Sequence, residues 1–95
     1  MLFRSETFDP HEPFYVQPEY KALFPDGYHG PLLDWPDYRP VNGTDSPELI
    51  DHVRREYAAL IAMCDRNLGR VLDAMDRYDL WKDTLLIVNR SEERR

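Results

Sequence analysis

Hydrophobic and polar positions divide the chain into four stretches, and the third is the most regular. From Ile50 onward, Val53, Tyr57, Leu60, Ile61, Cys64, Leu68, Val71, Leu72 and Met75 recur at three- and four-residue spacing. That spacing places them on one apolar stripe of a helix. Arg54, Arg55, Glu56, Arg66, Arg70 and Asp73 fill much of the remaining surface and read as a solvated face. Ser46 suits the N-cap, and Pro47 fits the first helical position, where its missing N–H costs nothing. Glu48 and Asp51 complement the positive end of the helix dipole. The pattern predicts a helix over 46–78, roughly 45–50 Å long at 1.5 Å per residue. Gly69 in its interior has a propensity cost and suggests close approach to a neighbour.

Two shorter stretches read as strands. Residues 2–8 are apolar at their ends and polar in the middle, and Asp9-Pro10 ends them because proline removes a ladder donor. Residues 84–89, Thr84-Leu85-Leu86-Ile87-Val88-Asn89, form an apolar run that reads as a strand buried on both faces. Between the first strand and the helix lies a proline-rich loop over 9–45. All eight prolines fall between Pro10 and Pro47, which stops any long helix or central strand there. Tyr15, Tyr20, Tyr28, Trp35 and Tyr38 argue for an ordered excursion held down by aromatic side chains. A short helical turn is expected around residues 18–24. Residues 90–95 form a polar, charged tail.

Strand, crossover helix and buried strand suggest an α/β fold class: the βαβ portion of a larger, mostly parallel sheet with a long crossover helix. A strand buried on both faces needs cover on both sides, and this chain supplies one substantial helix. The unit therefore reads as part of something larger, and alone it is expected to self-associate.

Composition narrows the function classes. Ninety-five residues make one domain at most. A formal net charge of -6, with both signs spread along the chain, argues against a nucleic-acid partner. No window holds the roughly 18 apolar residues of a spanning helix. The start lacks the apolar region of a signal peptide, so the chain as written is expected to stay in the cytoplasm. Cys64 is the single cysteine and reads as a small buried hydrophobe.

The sharpest chemical feature is Asp9-Pro10-His11-Glu12-Pro13-Phe14, directly after the first expected strand. Ligands of open parallel sheets bind beyond the carboxyl ends of strands, and two prolines would hold His11 in place. From spacing alone, a surface histidine in a stiff turn is the simpler reading. A metal site from Asp9, His11 and Glu12 is weaker still, because neighbours in one turn rarely converge on one ion, and His29 and His52 have no evident partner spacing. No phosphate loop and no nucleophile elbow is present.

These residues resemble a family. Phe8-Asp9-Pro10-His11-Glu12-Pro13-Phe14 is similar to the sulfatase segment in which a strand ends in His-x-Pro followed by an aromatic. Residues 57–72 resemble the long helix downstream of it, and 80–89 the strand after that. The resemblance covers about residues 3–89. It implies a partial catalytic domain of the alkaline phosphatase superfamily, which hydrolyses sulfate esters with a formylglycine nucleophile and a divalent cation, usually calcium. By position, His11 resembles the histidine that contacts the sulfate near the leaving oxygen, where it stabilises charge or protonates the departing alcohol.

The departures are equally specific. Cys64-Asp65-Arg66-Asn67-Leu68 is not the formylglycine motif, and the family's upstream metal-binding aspartates are absent. After Asn89 the family continues with Asp-His-Gly or Asp-Asn-Gly, whereas this chain has Arg90-Ser91-Glu92-Glu93. A truncation, a frameshift or a disrupted gene would each give that edge. The expectation is a sulfatase fragment, inactive alone, with His11 its one catalytic residue and neither cofactor nor metal ligands of its own. A phosphoester hydrolase fragment of the same superfamily and a small helical interaction protein, pairing through Tyr57, Leu60, Cys64 and Val71, stand as alternatives.

Overall fold

The computed structural model describes residues 2–90. A single turn of helix, Pro18–Lys21 (α1), precedes a 31-residue helix, Pro47–Arg77 (α2), and a 3₁₀ turn at Leu80–Lys82 follows it. The Ser46 hydroxyl accepts the Leu49 N–H at 3.1 Å, and Pro47 opens the helix, so the start lies where the sequence places it. At the other end, Tyr78 donates its N–H to the Ala74 carbonyl. Asp79 then takes the left-handed conformation (φ 52°) that turns the chain out of the helix, a role a short polar side chain tolerates. α1 falls within the helical turn expected at 18–24.

The α/β expectation is overturned. Among the described residues there is no strand, and the architecture is one long helix with a loop packed on its first half. The physical reason is that a strand is defined by its ladder. Among the described residues, 2–7 and 84–89 make no backbone hydrogen bond to each other or to another segment, and an apolar pattern without a partner backbone fixes no strand. The segment expected to be buried on both faces is in the open: Leu85 is 84% exposed and Ile87 76%. Residues 91–95 of the expected polar tail lie outside the described residues.

Most of the core sits where the loop crosses α2, and Met75 lies apart from it, near the end of the helix. Phe14, Ala59, Leu60 and Met75 are buried, and Leu60 and Ala59 have no exposed surface. Phe14 meets Tyr57 with ring centroids 5.8 Å apart, and its N–H is donated to the Asp34 carbonyl. Lys21 of α1 pairs with Glu56 of α2 at 2.9 Å, so Glu56 belongs to the interface and not to the solvated face. Of the aromatics expected to hold the excursion down, Tyr28 does so, whereas Tyr15 and Trp35 are about two-thirds exposed. A Cβ built at Gly69 meets nothing within 4 Å, so no neighbour approaches there among the described residues.

The dimensions agree with this sparse packing. The radius of gyration is 17.1 Å, against about 12 Å for a compact domain of this length. The accessible surface is 8551 Å², whereas a folded monomer of this mass exposes roughly 5,700 Å².

Candidate functional site

The Asp9–Phe14 segment is built as a knuckle anchored at both ends. On one side the His11 N–H is donated to the Phe8 carbonyl at 2.9 Å, closing a turn. On the other, Phe14 is buried against Tyr57 and tied to Asp34. Both prolyl bonds of the knuckle, Asp9-Pro10 and Glu12-Pro13, are cis. The knuckle lies near the middle of α2: burial pushes the Cys64 thiol up from its ordinary range, and the charge of Asp9 adds to the rise. Cys64 is half-buried, and a thiol held in its protonated form is a poor nucleophile.

His11 rides on this knuckle with its side chain about half exposed. Its Nδ1 lies 2.9 Å from the Glu12 carbonyl oxygen and 3.3 Å from a Glu12 carboxylate oxygen. A carbonyl only accepts, so Nδ1 carries the proton in that contact. The other ring nitrogen, Nε2, makes no hydrogen bond among the described residues. A ring fixed through Nδ1 with Nε2 available is the arrangement a histidine needs to donate to, or accept from, an outside oxygen.

The rest of a sulfatase centre does not assemble around it. Among the described residues no three His, Cys, Asp or Glu side chains converge as a group that could hold a metal ion. Asp9 and Glu12, the carboxylates nearest in sequence, act on Cys64 and on His11 respectively.

A second polar cluster went unread in the sequence. His52, on the first half of α2, is 8% exposed. Its Nδ1 lies 2.7 Å from Asp26 Oδ2, and its ring stacks on Tyr28 with centroids 4.0 Å apart. Asp26 also accepts the Tyr28 N–H at 3.2 Å, and Arg55 donates to the Pro25 carbonyl at 2.9 Å. The hydrogen bond from His52 holds the Asp26 carboxyl below its ordinary range against the opposing effect of desolvation, and the Tyr28 N–H and the charges of His52 and Arg55 contribute. The two partners are separated by 26 residues, so no local spacing could have linked them. The available signal was a histidine interrupting the charged-or-apolar pattern of the first half of the helix.

Near the start of α2, Arg39 grips Asp45 with two bonds of 2.8 and 2.7 Å, and the Asn42 N–H adds a third at 2.9 Å. The Arg39 bonds, followed by that of Asn42, bring the Asp45 carboxyl down to about 2. This pair closes the loop immediately before the Ser46 cap. With Trp35, Leu49, Ile50 and Val53 it borders a groove of about 300 Å³.

No helix among the described residues is long and apolar enough to cross a membrane. Against known proteins, no family model matches this sequence, and neither a curated protein nor a solved structure matches it.

Proposed function

We propose that this chain is a portion of a sulfuric ester hydrolase, contributing one acid–base histidine, His11, and no nucleophile or metal ligand of its own. The observation that carries the reading is the His11 knuckle: a His-x-Pro-aromatic turn whose aromatic is buried, whose Nδ1 is occupied and whose Nε2 is available. In sulfate ester cleavage the bond between sulfur and the leaving oxygen breaks, and an alcohol departs. A protonated Nε2 beside that oxygen supplies the proton an alkoxide needs, which matters most for poor leaving groups. The surplus accessible surface supports the same reading, since a portion of a larger body leaves apolar surface without its partners.

The test places residues 3–89 into a related full-length sulfatase in exchange for its own segment. His11→Ala in that protein lowers turnover on the order of 10²-fold or more. The loss is larger for alkyl sulfates than for nitrophenyl sulfate, and the melting temperature changes little. Turnover within a factor of about two of the parent on both substrates leaves His11 as a turn residue without a catalytic part.

A second reading, a small helical interaction protein, is favoured by the exposed apolar positions Ile61, Leu68, Val71 and Leu72 of α2. It requires a stable, defined oligomer of the chain itself and no effect of His11→Ala in the graft.

A further inference from the structure

The corner that closes the loop before α2 holds a reactive pair that the proposed chemistry does not use. Asn42 is followed by Gly43, and they open a tight turn in which the Asp45 N–H is donated to the Asn42 carbonyl at 3.1 Å. The Asn42 side chain folds back over that turn. Its Oδ1 accepts the Thr44 N–H at 2.8 Å, and the Thr44 hydroxyl as well. Residues 41–44 are exposed, so water reaches them. We propose that Asn42 is a self-modification site: the Gly43 backbone nitrogen attacks the Asn42 carboxamide, ammonia leaves, and water opens the resulting ring to an aspartyl or isoaspartyl residue.

Three features of the corner favour the attack. The nucleophile is available, because the Gly43 N–H makes no hydrogen bond among the described residues, and a glycine has no Cβ to crowd the approach. The reacting atoms are kept together: the bond from the Thr44 N–H to Oδ1 closes a ring that contains both the Asn42 Cγ and the Gly43 nitrogen, so the side chain does not rotate away. The developing charge has donors waiting, since attack at Cγ drives negative charge onto Oδ1, where both Thr44 donors already sit. In the first step the bond from the Gly43 nitrogen to Cγ forms and the bond from Cγ to Nδ2 breaks. The proton of the Gly43 N–H passes through water to Nδ2, which leaves as ammonia. Water then adds to one of the two ring carbonyls, and that carbon's bond to the Gly43 nitrogen breaks as the nitrogen takes back a proton. Opening at Cγ gives aspartate. Opening at the Asn42 backbone carbonyl gives isoaspartate, in which the chain runs through the former side chain. No electrons change hands, and water is the only co-reactant. Either product replaces a neutral amide with a carboxylate beside Asp45, which already accepts the Asn42 N–H and the Arg39 guanidinium.

The chain carries its own controls. Asn67 lies within α2 and precedes Leu68, and Asn89 precedes Arg90, so both are followed by residues with side chains. The full chain is incubated in neutral buffer, and peptides from timed samples are weighed for conversion of amide to acid. Asn42 is expected to convert about tenfold or more faster than Asn67 or Asn89. Thr44→Val removes the hydroxyl donor, keeps the N–H and is expected to slow Asn42 about threefold or more. In concentrated urea, where the turn is lost, the wild type and Thr44→Val are expected to convert at the same rate. Far-UV circular dichroism confirms that the variant retains α2. Conversion of Asn42 no faster than that of Asn89 overturns the proposal. So does a Thr44→Val rate equal to or above that of the folded wild type, or a slowing by Thr44→Val that persists in urea.

Discussion

The two halves of α2 have the same stripe and different surroundings. The first half is covered: His52, Ala59 and Leu60 are buried beneath the loop, and Glu56 and Arg55 are bound to it. The second half is largely bare, with Leu68, Val71 and Leu72 all more than a third exposed and only Met75 buried near its end. Beyond it, Leu85, Ile87 and Val88 are exposed as well. A stripe at helical spacing thus reports that a face is meant to be covered, not what covers it. Where the same chain supplies the cover, a small core forms; where it does not, apolar surface stays in water, at a cost of about 25 cal/mol for each Å² that burial would have removed.

The largest expected effect separates the halves by mutation. Leu60→Ala empties a fully enclosed site and is expected to cost about 2–5 kcal/mol, enough to undock the loop. Val71→Ala on the bare half removes little enclosed contact and is expected to stay within about 0.5 kcal/mol. Urea unfolding of dilute chain, followed by far-UV circular dichroism, measures both. Equal costs for the two substitutions break the comparison, because they mean that the second half is covered too.

A smaller effect, of opposite sign, sharpens it. Gly69 lies in the bare half with open space where a Cβ would stand. Gly69→Ala is therefore expected to stabilise the helix of the isolated chain by about 0.8–1 kcal/mol through propensity alone. If the same substitution destabilises the full-length graft, another element approaches Gly69 there. A loss in the isolated chain itself contradicts the open surroundings described above.

The helix was legible because its signals are local. Ser46-Pro47 fixes its start, and the stripe carries it to Arg77. The segments over 2–8 and 84–89 were misread because an apolar or alternating run gives a strand only when another backbone answers its hydrogen bonds, and none within the described residues does. The His11 knuckle was legible as a turn from its two prolines, while the fixing of its Nδ1 by the Glu12 carbonyl required coordinates. The Asp26–His52 pair was invisible for the reason opposite to that for the helix: its partners meet only after the loop has folded back. Aromatic content predicted an ordered loop, but Phe14 and Tyr28 anchor it, not Tyr15 or Trp35.

The central claim is that this chain carries apolar surface whose cover lies outside its described residues. Sedimentation velocity over a range of concentrations, with a hydrophobic dye binding measurement on the same samples, tests it most directly. The expected result is a weight-average mass that rises above the 11.3 kDa of one chain as concentration increases, together with dye binding by the dilute species. A mass fixed at 11.3 kDa across the range, with no dye bound and a sharp cooperative melt, would show that the chain completes its own core and contradict the claim.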